Sequence, residues 1–242
     1  MQLTLDSLEK VISADPTLKA GCIVDTNVIF AASYPLDHHN EWAEEVTQIL
    51  AQFGIPLFTN MNIRSEFIDL SRRILIAEGL VDFYEDFKGL VRGEVDASLK
   101  SLKTRKTKAH ENNKTFILND SDIKHYRGLL ETIQLPQLGN AWDSFCENYI
   151  HPYLKGLWDE VTNGLKLNFL GAKEIEEQKF FTSRPKWDEM VNIVGKTGIG
   201  SSDAMIINLF LQSTIPLIIT ADNDVKKTVM KLSPQDKLVL AP

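Results

Sequence analysis

Gly21-Cys22-Ile23-Val24-Asp25 is a short apolar run closed by an acid. An uninterrupted apolar run of this length reads as a strand of a parallel sheet, buried on both faces. Outward from it, helical and extended patterns alternate. Residues 6–13 predict a short amphipathic helix before Asp15-Pro16, and residues 40–53 carry Trp42, Val46, Ile49, Leu50 and Phe53 at helical spacing, with Gly54 as the stop. Ile55-Pro56-Leu57-Phe58-Thr59 predicts a second strand, and residues 63–77 a helix with Ile63, Phe67, Leu70 and Ile74 on one face. Near the C-terminus, residues 201–211 predict a helix, 215–220 a strand, 225–232 a helix and 237–240 a last strand. Strands that alternate with helices imply a parallel sheet with helices on both faces, an α/β fold of three layers (α/β/α). From about Val81 to Asp188 the pattern is helical and irregular and shows no convincing strand. The chain, 1–242, therefore reads as a single domain with its core at about 20–80 and 196–242 and a mainly helical insertion at about 81–195.

Composition restricts the function classes. At 43% hydrophobic and 24% charged residues the chain is an ordinary globular protein. Its two cysteines, Cys22 and Cys146, form no CxxC pair, which disfavours a disulfide framework or a zinc site and suits a reducing compartment. The first residues have neither a basic nor an apolar signal region, and the longest apolar run is far too short for a membrane span, so a soluble, cytoplasmic protein without a membrane partner is expected. A net charge of −7 opposes a polyanionic partner overall. However, Lys100, Lys103, Arg105, Lys106, Lys108 and Lys114 fall close together with only Glu111 against them, and cations bound by an acidic site would offset its charge. Global charge does not decide the partner.

Ligands of a parallel α/β sheet gather beyond the carboxyl ends of its strands. Asp25 follows the first predicted strand, and Asp222 and Asp224 follow the strand at 215–220. Glu66 lies early in the helix after the second strand, and Asp203 in the first turn of the helix before the late strand. Each acid also has a plain structural explanation. Asp25 can start a turn. Asp203 can serve its helix dipole, with Ser201 or Ser202 as the N-cap. Asp222 or Asn223 can cap the helix that follows, and Glu66 can pair with Arg64 or Arg73. What favours a shared role is that all fall at one edge of the predicted sheet.

Val24-Asp25-Thr26-Asn27-Val28-Ile29 resembles the opening motif of PIN-domain nucleases, a hydrophobic residue followed by Asp-x-Asn. Ile63-Arg64-Ser65-Glu66-Phe67 is similar to the second motif of that family, Gly200-Ser201-Ser202-Asp203-Ala204-Met205-Ile206 to the third, and Thr220-Ala221-Asp222-Asn223-Asp224 to the fourth. The likeness covers residues 20–77 and 196–242. More than half the chain separates Glu66 from Asp203, a longer gap than in compact members of the family. The resemblance implies a PIN-like fold and a metal-dependent nuclease, with single-stranded or structured RNA as substrate and single-stranded DNA as an open alternative. Toxin ribonucleases of toxin–antitoxin modules belong to the family, which leaves a homodimer and an antitoxin-like inhibitor protein open. A non-catalytic RNA-binding or protein-interaction module of the same fold is the alternative function.

Phosphodiester hydrolysis needs an activated water and relief of charge at the phosphate, which one or two Mg²⁺ or Mn²⁺ ions supply. Such hard cations take oxygen ligands. The resemblance assigns Asp25 and Asp203 as direct ligands, and Glu66 and Asp222 as ligands directly or through water. Asp224 stays an unplaced fifth acid. Asn27 is expected to hold Asp25 by a hydrogen bond, with Thr26, Ser202 and Thr220 as supports. Lys100, Lys103, Arg105, Lys106 and Lys108 are expected at the phosphate backbone. Trp142, Trp158 and Trp187 could stack bases, but helical spacing favours a core role. A dehalogenase-type phosphatase would need an acid where Asn27 stands, and a receiver domain would need an acidic pair near its first strand.

Overall fold

The computed structural model describes residues 2–112, 114–170, 179–233 and 237–242. The chain divides into two compact units, Met1–Phe67 with Val161–Pro242, and Ile68–Glu160.

The first unit holds a six-stranded sheet, every neighbouring pair of which is parallel. Its strands are β1 (Gln2–Leu3), β2 (Cys22–Val24), β3 (Leu57–Thr59), β6 (Asn168–Phe169), β7 (Leu217–Ile219) and β8 (Leu238–Leu240), in the order β1-β8-β7-β2-β3-β6. Cys22, Ile23 and Val24 are all fully buried. Because successive side chains point to opposite faces, their burial means that both faces of β2 are covered. The fold is thus α/β around a parallel sheet, compatible with three layers.

Register places the strand exits side by side. Ile23 pairs with Phe58 and Val24 with Ile219, so Asp25, Asn60 and Thr220 stand level, just beyond the ends of β2, β3 and β7. Each exit feeds a helix: α2 (Thr26–Ser33) after β2, α4 (Met61–Phe87) after β3, and α11 (Asn223–Leu232) after β7. The helix α10 (Ser201–Gln212) leads into β7 and follows α9 (Trp187–Thr197).

Two expectations are corrected. The stretch expected to lack strands supplies the edge strand β6, and the unit enclosed in the chain ends at Glu160, so the chain rejoins the sheet well before residue 195. The helix expected at 63–77 runs to Phe87. Residues after Asp25, to which the sequence pattern assigned no element, form α2 at once, with Val28, Ile29, Phe30 and Ala31 buried.

The second unit packs the later part of α4 with α5 (Gly93–Glu111), α6 (Asp120–Glu131) and α7 (Ala141–Phe145), and carries a two-stranded antiparallel pair, β4 (Gln134–Leu135) and β5 (Gly139–Asn140). Phe83, Leu80, Leu102, Leu130 and Phe145 are fully buried in its core. Gly79 sits where a Cβ would come within 3.1 Å of the Phe145 ring and of Tyr149.

Lys237, 5% exposed, anchors the last strand of the sheet. Its Nζ donates to the carbonyls of Phe210 (3.1 Å), Ser213 (2.7 Å) and Ile215 (2.6 Å) and lies 4.7 Å from the centre of the Phe210 ring. These carbonyls end α10 and open the path into β7, so one ammonium joins three segments. Hydrogen bonds to a charged group contribute about 1.5–3 kcal/mol each before the cost of burying the charge. Lys237→Met is expected to lower stability by about 2 kcal/mol or more. Urea titration checks this, and an unchanged midpoint would contradict it.

Candidate functional site

Asp25 leaves β2 and becomes the N-cap of α2. Its carboxylate accepts from the Thr26 N–H (2.7 Å) through Oδ1 and from the Thr220 hydroxyl (2.6 Å) through Oδ2. The side chain sits at the end of a central strand with only 2% of the residue exposed. Burial pushes its carboxyl up from 3.8 to about 7; the two hydrogen bonds pull it down, and Glu66 and Asp203 push it further up.

Around it, hydroxyl and amide groups link the other acids. The Thr220 hydroxyl that donates to Asp25 also accepts from the Asp222 N–H (3.0 Å). The Thr26 hydroxyl donates to Glu66 Oε2 (2.7 Å), so the residue after Asp25 orients the acid on α4. Asp222 Oδ1 accepts from the N–H groups of Asp224 (2.6 Å) and Val225 (3.1 Å), capping α11. Asp203 stands in the first turn of α10, half-buried, and its carboxyl is raised from 3.8 to about 6 by burial first, then by Glu66, Asp222 and Asp224. Gly200 makes room for it, since a Cβ there would stand 3.1 Å from Asp203 Oδ2.

The structure thus brings Asp25, Glu66, Asp203 and Asp222 into one crevice, with Asp224 exposed at its edge. The leading charges that act on Asp25 and Asp203 are all carboxylates. Several plain explanations hold at the same time. Asp222 is an N-cap, and Asp203 does occupy a helix start. Others fail. The N-cap of α10 is Gly200, with Ser201 and Ser202 already inside the helix, and Arg73, one of the two arginines considered for Glu66, pairs with Asp69 and Asp120, while Glu66 accepts from Thr26.

Asn27 differs from expectation. Its Oδ1 accepts from the Ala221 N–H (2.9 Å), so it fastens the β7 exit loop, and Thr220 with the Thr26 amide holds Asp25 instead. Asn60 is a site-building residue that sequence reasoning missed. It follows β3, and its Oδ1 accepts from the N–H groups of Asn62 (2.8 Å) and Ile63 (3.0 Å), starting the helix that carries Glu66. The signal was an Asn between an apolar strand and a helix, the same cue that marked Asp25.

The basic run lies on α5 of the second unit, where much of it is internally matched. Lys100 pairs with Asp96 (2.7 Å), Lys103 with Glu85 (2.6 Å) and Arg105 with Asp122 (3.5 Å), while Lys108 is exposed and Lys106 half-buried. Trp158 is buried and Trp142 half-buried, but Trp187 is 66% exposed and not a core residue.

The donor set fits a hard divalent cation in chemistry and charge, since it is all oxygen and lacks charge compensation among its nearest acids. It is not a closed cage: among the described residues, no three His, Cys, Asp or Glu side chains are placed to hold one ion. Mg²⁺ is commonly held by only one or two carboxylates and keeps several waters, so an open arrangement suits it. No helix among the described residues is long and apolar enough to cross a membrane. No protein-family model matches the chain, and no curated protein or solved structure matches it either.

The raised carboxyls carry a stability signature in metal-free protein. Where the folded state holds a proton that the unfolded state has released, stability falls as pH rises, here between about 4 and about 7 for Asp25. Asp25→Asn, which keeps the shape without the charge, is expected in EDTA to be more stable than wild type near neutral pH. The gain is up to about 4 kcal/mol, with a flatter profile across that window. Thermal denaturation as a function of pH measures both; a variant that is less stable than wild type at neutral pH would contradict the assignment.

Proposed function

We propose that the crevice is the active site of a metal-dependent nuclease of the PIN type, which hydrolyses phosphodiester bonds of single-stranded or structured RNA. The observation that carries this reading is the buried Asp25 carboxyl, held at a central strand exit where the leading charges that act on it are those of Glu66 and Asp203. A chain gains nothing in stability from such a cluster; a divalent cation removes its cost. One or two Mg²⁺ or Mn²⁺ ions, when bound, would supply charge neutralisation at the phosphate and a more acidic water.

In this reading Asp25 and Asp203 would hold the ion, both giving up protons to do so. Thr220 and the Thr26 amide keep the Asp25 carboxylate from rotating, which fixes where its charge is presented. Glu66, with Oε2 engaged by the Thr26 hydroxyl, keeps its other oxygen to take the proton of the attacking water. Asp222 spends Oδ1 on two backbone amides and keeps Oδ2 for the crevice. Asn27, by fastening Ala221, sets the distance between the β2 and β7 exits.

The open placement of the acids favours a second reading, a non-catalytic RNA-binding or protein-interaction module. Cleavage of a labelled single-stranded RNA in Mn²⁺ or Mg²⁺ separates the two. The nuclease reading expects cleavage that EDTA abolishes and that Asp25→Asn or Asp203→Asn slows by about 100-fold or more, the scale of losing a site that stabilises transition-state charge. Equal cleavage by wild type and both variants, or none by wild type, would overturn it.

A further inference from the structure

Beside the carboxylates, a recess of about 240 Å³ opens between the end of α9 and the outer face of α11. Thr197 and Gly198 line one side; Lys227, Thr228 and Lys231 line the other, and Asp224 marks the end nearest the crevice. We infer that this recess binds the phosphate backbone of the RNA strand that lies in the crevice, at a phosphate next to the one attacked. The inference rests on the nuclease reading and assigns it a strand-holding subsite.

Helical spacing places the lysines. Residues 224, 227, 228 and 231 fall on one face of α11, so Asp224, Lys227 and Lys231 form a stripe that starts at the acids and runs away from them. Seven residues of helix cover about 10 Å. Asp224 lines the recess, and its N–H donates to Asp222 Oδ1 (2.6 Å), which puts the recess beside the acids of the crevice.

Neither lysine is spent elsewhere at full strength. Lys227 stands 3.9 Å from Asp224, with side chains 75% and 80% exposed, a pair of negligible strength in water. The Lys231 ammonium reaches the Lys196 carbonyl at 3.3 Å, which leaves its charge uncompensated by any carboxylate in that contact. On the opposite side, Gly198 ends α9 with φ of 73°, a left-handed conformation that suits glycine, and a Cβ there would meet nothing within 4 Å.

Electrostatics gives the reason for such a site. The chain carries −7 overall, and its crevice gathers four acids with Asp224 at the edge, so an RNA strand approaching it meets like charge. Cations in the crevice relieve this at the attacked phosphate only. The neighbouring phosphate needs its own positive charge, and Lys227 and Lys231 supply it as compact ammonium groups suited to phosphate oxygens.

The test uses the full chain and fluorescence anisotropy of an end-labelled single-stranded RNA in EDTA, with salt varied. Lys227→Gln/Lys231→Gln is expected to weaken binding about tenfold and to reduce the slope of log affinity against log salt by about 1 to 2. Lys227→Gln alone, which leaves the Lys231 contact intact, is expected to give a smaller change in the same direction. Unchanged affinity and slope in the double variant would overturn the inference. So would a double variant that binds RNA normally and loses only competition by inorganic phosphate, since that describes a free-anion site. Failure of the nuclease reading shows separately, as no Mn²⁺-dependent hydrolysis of RNA or of a small phosphodiester by the wild type.

Discussion

A carboxyl at the end of a buried strand cannot ionise without a partner that offsets its lost hydration, and Asp25 is placed under that constraint. Its two hydrogen-bond donors, the Thr220 hydroxyl and the Thr26 amide, are neutral, and the leading charges that act on it, Glu66 and Asp203, are negative. Burial therefore outweighs the hydrogen bonds, and the group holds a proton near neutral pH unless a cation takes the proton's place. The rest of the site follows from keeping that carboxylate fixed. Thr220 couples it to Asp222, Thr26 couples it to Glu66, and Asn27 ties its helix to the loop after β7.

The architecture delivers this arrangement by using the same residues twice. Parallel strands in register end at one level, and each helix that begins there has amides in need of acceptors. Asp25, Asn60 and Asp222 meet that need as N-caps of the helices after β2, β3 and β7. Asp222 caps with Oδ1 alone, so for it a structural explanation and a chemical one do not compete. That resolves why Asp222, taken alone, was equally well explained as a cap.

The legible parts of the sequence were those governed by burial on both faces. Ile23, Phe58, Ile218 and Val239 lie in runs that are apolar throughout, and their strands stand where expected. The edge strands Gln2–Leu3 and Asn168–Phe169 are two residues long and partly exposed, too short for any period to show. The extension of α4 past Ala77 was hidden by Gly79, which resembles a stop but marks close packing against Phe145 and Tyr149. At the site, residue types at strand exits were readable from one-dimensional order. The partner of Asn27 was not, because Ala221 is brought to it only by the pairing of β2 with β7. The ion pairs of the basic stretch on α5 were hidden in part for a similar reason: Glu85 and Asp122, which face Lys103 and Arg105, come from other helices.

The central claim is that the acids at the strand exits share a divalent cation. Anomalous diffraction from crystals soaked in Mn²⁺ addresses it without reliance on any substrate. The account predicts a manganese peak at about 2.0–2.3 Å from carboxylate oxygens of Asp25 and Asp203, with waters completing the shell. A crystal saturated with Mn²⁺ that shows no peak in the crevice, with Asp25 still bonded only to Thr220 and Thr26, would contradict it.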